Sequence, residues 1–275
     1  MKEYITMDTR DLVKAGNLSK AREQLIEEVK SSPADMSRRT LLFQVLSFCG
    51  EWDKAERHLD IIATQDSSRE TGVQVYKNLI RAEKLRTEVF KRNSRPAFLP
   101  GVPAYAERYF SALKKLSERK TEEAADLFHQ IDEQRPVISG TVNGKRFTGI
   151  RDTDTLVSIF LETVVHEQYI WMPFESLKEI IISPPKTLFD YLWIAARITT
   201  QEGLSLHCYL PVLYHDSWSH RDDRIKMGRM TDWISLGGPF SKGSGQRIFQ
   251  IGEDEIPIME LREVTLSTSY RTDKP

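Results

Sequence analysis

The densest group of side chains that can bind metals or move protons lies between His215 and Asp223. Two imidazoles, His215 and His220, and three carboxylates fall within nine residues. Zinc and iron need a fixed geometry, usually from ligands one helical turn apart or on separate strands, and the spacing here matches no established ligand pattern. We therefore predict no metal site and interpret this segment as a polar loop with a helix cap. The alternative is a metal-dependent enzyme that uses this loop.

A second set of carboxylates, Asp152, Asp154 and Glu162, has the residue types needed for general acid and base catalysis. Helix capping explains the two aspartates more simply, because Asp152 or Thr153 can cap a helix predicted to run to about residue 165. On this interpretation the aspartates serve the fold and not a reaction.

The remaining patterns of catalytic sites are missing from the sequence. His207 precedes Cys208 in a predicted strand, but adjacent strand residues point to opposite faces and cannot act together as base and nucleophile. The sequence has no phosphate-binding loop, nucleophile elbow or dinucleotide fingerprint. We predict no catalytic residue and no cofactor, and therefore a protein that is not an enzyme.

The first half of the chain contains an internal repeat. Gly16 and Gly50 lie 34 residues apart, as do Ala21 and Ala55, and 34 is the period of paired tetratricopeptide helices. Glycine is favoured where the first helix of a pair ends, because it adopts the left-handed conformation without a Cβ penalty. A third, looser copy has Arg119 in place of the glycine. Proteins with this repeat hold other proteins, and an ordinary helical bundle is the alternative.

Composition limits the remaining possibilities. The chain has 275 residues, 40% of them hydrophobic, and a net charge of −1, so no overall field attracts nucleic acid. No apolar run approaches the roughly 20 residues that span a bilayer, so we predict no membrane insertion and a cytoplasmic protein. The two cysteines, Cys49 and Cys208, are expected to be reduced thiols.

The periodicity changes near Pro136. Before it, apolar residues recur every three or four positions, which indicates helices, and after it two β-prone runs flank Asn143-Gly144, a strong hairpin signal. Further strands are predicted around residues 169–172, 178–182, 193–199, 204–213 and 247–251. The predicted class is α+β, with tetratricopeptide-like helical repeats in residues 1–136 and a mixed, β-rich domain in residues 137–275.

The segment 95–103 holds three prolines and cannot be a helix. It is either a linker or an ordered lid over a groove. Phe98 and Leu99 favour ordered packing, because a free linker rarely carries both.

Motifs along nearly the whole chain resemble the ImpE family, also called SciE-type or TagJ proteins. In the first half these are residues 39–44, Gly50-Glu51-Trp52-Asp53-Lys54-Ala55, Arg81-Ala82-Glu83 and Arg95-Pro96-Ala97-Phe98-Leu99. In the second half they are Asn143-Gly144, Asp152-Thr153-Asp154, Tyr169-Ile170-Trp171-Met172-Pro173, Asp190-Tyr191-Leu192-Trp193, Leu210-Pro211-Val212-Leu213-Tyr214 and Arg229-Met230-Thr231-Asp232-Trp233.

The resemblance implies an accessory protein of bacterial type VI secretion, a contractile injection machine. It implies a cytoplasmic, non-enzymatic role in which the protein binds the N-terminal helix of the small subunit of the contractile sheath. An influence on sheath disassembly by the ClpV-type ATPase is also implied. A generic repeat-type adaptor unrelated to secretion is the alternative.

Helical repeats build a concave surface from their first helices, and an amphipathic partner helix can lay its apolar stripe there. Alignment on Gly50 assigns to this face Ser37, Thr40, Gln44 and Ser47 of the second repeat, and Ala106, Tyr109, Leu113 and Leu116 of the third. The candidates for partner binding are Gln44, Ser47, Tyr109, Leu113 and Leu116. The alternative for the last three is packing against the β-containing half.

Overall fold

The first half of the chain folds into helices, most of which pack against the next helix in the chain. The computed structural model describes residues 8–270. The helices are α1 (Thr9–Lys14), α2 (Leu18–Ser31), α3 (Met36–Phe48), α4 (Trp52–Gln65), α5 (Glu70–Phe90), α6 (Ala106–Ser117) and α7 (Thr121–Gln134), with a short α8 (Asp223–Lys226) in the second half. None of the helices in this described part is both long and apolar enough to cross a bilayer.

The predicted turns at the repeated glycines are confirmed. Gly16 has φ +81° and Gly50 has φ +69°, and Ala21 and Ala55 are completely buried in the helices that follow. Arg119, which replaces the glycine of the third copy, adopts the same left-handed backbone at φ +60°. The turn between α6 and α7 therefore keeps its geometry without glycine. The tetratricopeptide likeness of the packing stays a prediction.

The second half is built mainly of strands. They are β1 (Ala97–Phe98), β2 (Val137–Val142), β3 (Lys145–Thr148), β4 (Ile150–Asp152), β5 (Phe160–Val165), β6 (Gln168–Pro173), β7 (Leu177–Ile182), β8 (Trp193–Thr200), β9 (Ser205–Pro211), β10 (Thr231–Gly237), β11 (Phe240–Gly245), β12 (Ile248–Ile251), β13 (Asp254–Pro257) and β14 (Glu263–Ser269). A nine-stranded sheet has the order β1-β6-β5-β9-β8-β7-β14-β2-β3, and β10-β11 and β13-β12-β4 form two small sheets. The α+β class is confirmed.

The strand predictions hold where the signal is local. Asn143 and Gly144, both with positive φ, join β2 to β3 in the predicted hairpin. The five predicted strands correspond to β6, β7, β8, β9 and β12.

The predicted helix from residue 152 to 165 is wrong. This segment contains β4, a turn and β5, and Asp152 binds the Arg247 guanidinium instead of capping a helix. Residues 163–165 are Thr, Val and Val, whose β-branched side chains favour a strand.

The proline-rich segment is ordered. Ala97 and Phe98 pair in parallel with Ile170 and Trp171, so β1 extends the large sheet from within the helical half. Helix α7 ends at Gln134 and β2 begins at Val137, which brackets the predicted boundary. Buried side chains of both halves form one continuous hydrophobic core. The division into two domains stays a prediction.

Candidate functional site

A groove opens where the end of α5 meets α6. Helix α5 ends at Phe90, and Arg92 turns the chain with a left-handed backbone of φ +63°. The Arg92 guanidinium donates to the Leu113 carbonyl at 2.8 Å and so ties this turn to α6. The resulting cavity has a volume of about 500 Å³ and is called here the α5–α6 groove. It is lined by Val89, Phe90, Arg92, Asn93, Ser94, Arg95, Phe110, Ser111, Leu113, Lys114, Leu156 and Trp171.

The floor of the groove is aromatic and rigidly supported. The Phe110 ring stacks on Trp171 with centroids 5.9 Å apart, and Phe98 meets both rings edge-on. The indole of Trp171 is buried, and its Nε1 donates to the Tyr169 hydroxyl at 2.6 Å. Aromatic contacts of this kind stabilise by about 0.5–1.5 kcal/mol beyond the area they bury. The floor is therefore an apolar surface, and the indole N–H of Trp171 is hydrogen-bonded to Tyr169 beneath it.

The rim of the groove is basic. Arg92, Arg95 and Lys114 line it, and none of the lining residues, all within the described chain, is acidic. The Arg95 guanidinium lies 3.6 Å above the Phe110 ring centre, and one of its nitrogens is 3.2 Å from a Glu107 carboxylate oxygen. An apolar floor with a cationic rim suits an amphipathic ligand better than a small polar substrate.

Beyond the groove floor, the interior holds a buried ion network that joins the helices to the sheet. Arg86 of α5 binds both carboxylate oxygens of Glu162 on β5, at 2.8 and 3.1 Å, and donates to the Leu213 carbonyl at 3.0 Å. Arg247 lies 2.7 Å from the same Glu162 and also binds Asp152. All four charged side chains are buried. The network thus connects α5 with β4, with β5 and with Arg247, the residue just before β12.

The charges in this network are fixed by burial and by each other. Burial opposes ionisation of Glu162, but the two guanidinium groups outweigh it and lower its pKa to about 2. Burial, together with the neighbouring Asp152, raises the pKa of Asp154 to about 7. Asp154 accepts hydrogen bonds from the Leu156 and Gly243 amides. Protein groups therefore enclose and bind these carboxylates.

Comparisons with known proteins identify the family of this chain. A family model described as ImpE protein matches residues 144–265. The type VI secretion system accessory component TagJ of Pseudomonas aeruginosa is 32% identical over 260 residues, which cover 94% of this chain and 91% of TagJ. This chain belongs to the ImpE/TagJ family.

A crystal structure shares the fold of this ImpE/TagJ family member. Protein VPA1032 from Vibrio parahaemolyticus superposes with a TM-score of 0.86 and covers 96% of this chain and 98% of its own. At 22% identity the likeness shows the fold alone.

The structure separates the five residues that the sequence proposed for partner binding. Leu113 lines the groove but is itself buried, with 9% of its surface exposed. Tyr109, Leu116 and Ser47 are buried, with the Tyr109 hydroxyl donating to the Thr155 carbonyl at 3.0 Å. Gln44 is half-buried on α3. The expected exposed inner face is therefore absent at Tyr109, Leu116 and Ser47, because their side chains fill the protein interior. A role of the five residues in partner binding stays a prediction.

The contacts of the Tyr109 ring show why this face of α6 is buried. Its centroid lies 5.0 Å from that of Phe160 on β5, which is the packing against the sheet given above as the alternative. The buried residues of α6 recur every three or four positions, so this stripe is the face that contacts the sheet. Phe110, one position further round the helix, was not predicted. Its signal was the spacing of Phe110, Leu113 and Lys114 on one helical face.

The polar loop from His215 to Asp223 joins the two halves. The His215 ring stacks on Phe90 at 4.4 Å, and burial lowers its pKa to about 3. Asp222 caps α8, and Asp223 accepts hydrogen bonds from the amide and hydroxyl of Ser19 on α2. Across residues 8–270, no group of three or more His, Cys, Asp or Glu side chains is arranged to hold a metal ion.

Proposed function

We propose that this ImpE/TagJ-family protein is a non-catalytic accessory component of bacterial type VI secretion. In this proposal it works in the cytoplasm and binds the N-terminal amphipathic helix of the small subunit of the contractile sheath. The α5–α6 groove is the observation that carries the proposal, because it combines an apolar floor with an open mouth on a helical surface. The name of the TagJ relative supports the link to secretion.

The size of the groove fits the apolar anchor of a helix. A cavity of about 500 Å³ is within the range of ligand pockets and accepts a few large side chains from one helical face. Phe110 and Leu113 are one helical turn apart on α6 and both line this space. Leu113 is buried and Phe110 is half-buried, so Phe110 offers the larger contact to an apolar stripe at positions i, i+3 and i+4 of the partner.

The direct test is calorimetric titration of the full chain with a synthetic peptide of the N-terminal helix of the cognate sheath small subunit. We expect saturable binding with one peptide per chain. A folded protein and a soluble helical peptide that do not bind would overturn the proposal.

A blocking variant tests whether the peptide uses the groove. Ser111 is exposed at the groove, and its hydroxyl donates to the Glu107 carbonyl four residues earlier. Ser111→Tyr should fill the mouth and weaken binding at least tenfold without disturbing the core. Thr64→Tyr on α4 is the matched control, because Thr64 is also exposed and donates to the carbonyl of Asp60. Equal affinities of the two variants would place the peptide elsewhere.

Influence on sheath recycling is the second part of the proposal. Sheath disassembly by the ClpV-type ATPase should change in rate when the protein is added, and Ser111→Tyr should reduce that change. An unchanged rate at saturating protein would restrict the function to binding.

A further inference from the structure

All the charged side chains that line the α5–α6 groove are positive. Arg92, Arg95 and Lys114 contribute three cations, and the lining contains no carboxylate. Arg92 donates to the Ser117 hydroxyl and the Leu113 carbonyl, and neither Arg92 nor Lys114 takes part in an ion pair within residues 8–270. A partner that buries this rim must supply negative charge, since an uncompensated cation is costly to desolvate.

Arg95 differs from the other two cations because it is held in place. Its guanidinium centre lies 3.6 Å above the Phe110 ring, a contact that favours a planar cation and limits its rotation. A guanidinium held in this way can receive a carboxylate through two parallel N–H bonds. A lysine ammonium in the same place has no such planar pair of donors.

The present carboxylate partner of Arg95 is replaceable. Glu107 contacts it through one nitrogen at 3.2 Å, and the side chains of Arg95 and Glu107 are 55% and 84% exposed. Ion pairs this exposed contribute little to stability. A carboxylate that arrives with an apolar anchor can therefore take the place of Glu107.

We propose that the α5–α6 groove selects a helix that carries a carboxylate beside its apolar stripe, and that Arg95, stacked on Phe110, is the residue that recognises this carboxylate. The inference rests on the proposed function and names the chemistry of the partner. In this proposal Phe110 contacts the apolar side chains of that helix, and Lys114 and Arg92 add an attraction that salt screens.

The experiment uses two peptides with the full-length protein. One is the N-terminal helix of the cognate sheath small subunit, and the other has its Asp and Glu replaced by Asn and Gln. We expect the amide peptide to bind about tenfold more weakly, and raising NaCl from about 50 to 500 mM to weaken only the acidic peptide strongly.

Variants of Arg95 identify the recognising side chain. Arg95→Gln should weaken the acidic peptide about tenfold and the amide peptide much less, so the two changes are not additive. Arg95→Lys keeps the charge but should resemble Arg95→Gln, whereas Lys114→Arg should bind like the wild type. Arg146→Gln on β3 is the control, because it removes the same charge from an exposed residue outside the groove.

Four results would overturn the inference. If both peptides bind the wild type with equal affinity, or if Arg95→Gln binds the acidic peptide as Arg146→Gln does, the groove does not select charge. The proposed function then survives as long as Ser111→Tyr blocks binding. If a scrambled peptide of the same composition binds equally well, the rim attracts any polyanion. If neither peptide binds the wild type, the proposed function fails together with the inference.

Discussion

Replacement of Glu162 by glutamine should lower the free energy of unfolding by about 3 kcal/mol. Glu162 is completely buried and binds Arg86 through two hydrogen bonds and Arg247 at 2.7 Å. Glutamine has nearly the same shape, but its amide nitrogen would face a guanidinium, so at least one charge-assisted bond becomes a contact between donors. Loss of one partner of a buried ion pair costs about 3–5 kcal/mol.

The lower end of that range applies because neither arginine becomes isolated. Arg86 keeps Glu83 at 3.2 Å, and Arg247 keeps its bond to Asp152. The matched control is Glu167→Gln, which removes a carboxylate 3.0 Å from Arg81 in a pair whose side chains are both 49% exposed. An exposed pair of this kind contributes less than about 1 kcal/mol.

Urea unfolding at neutral pH, followed by far-ultraviolet circular dichroism, gives the midpoint and the denaturant slope of unfolding for the wild type and for each variant. The pKa of Glu162 is lowered from its ordinary 4.5 to about 2, so its contribution is fully present above pH 4.5 and is lost as the pH falls through 2. The difference between wild type and Glu162→Gln should therefore shrink over that acid window. A neutral-pH difference below about 1 kcal/mol, or one that does not shrink in acid, would refute the reasoning about the network.

Two further predictions concern single positions. Gly50→Ala should destabilise the folded protein by about 2 kcal/mol or more, because position 50 has φ +69° and a Cβ there would lie 2.4 Å from the Trp218 ring. Gly72→Ala in α5 is the control: a Cβ at position 72 would have nothing within 4 Å, so this change should stabilise the protein by about 0.5–1 kcal/mol. Urea midpoints compare the two, and a neutral Gly50→Ala would contradict the close approach of Trp218. The pKa of Asp154 is raised from 3.8 to about 7, so its contribution is fully present below pH 3.8 and is lost as the pH rises through 7. Between pH 5 and 8 the wild type should therefore lose stability more steeply than Asp154→Asn, and parallel pH profiles would show that Asp154 does not titrate there.

Local chemistry made much of the fold predictable. The turns at Gly16 and Gly50 need a left-handed residue, and Asn143-Gly144 has the positive φ values that a two-residue hairpin requires. Both signals are contained in a few neighbouring residues. Arg119 shows the limit of such local signals, because the end of α6 imposes a left-handed backbone on a residue type that does not prefer it.

Long-range partners explain what the sequence did not predict. Asp152 suggested a helix cap, but its partner Arg247 lies 95 residues away and holds it in a strand. The groove depends on the pairing of β1 with β6, which places Phe98 beside Trp171 although 73 residues separate them. Helical spacing marked the apolar face of α6 correctly, but it does not show what covers that face.

The groove and the buried network form one connected structure. Trp171 on the groove floor donates to the Tyr169 hydroxyl, and that hydroxyl in turn donates to Glu162, which holds Arg86 of α5. Helix α5 also supplies Phe90 to the groove wall, so floor and wall are fixed to the same buried charges. A surface held in this way loses little freedom when a partner binds, and its affinity then depends on the fit of the partner and on the rim charges. Substitutions in the network should consequently weaken binding only as far as they unfold the protein, whereas substitution of the exposed Arg95 at the rim should weaken binding with little change in stability.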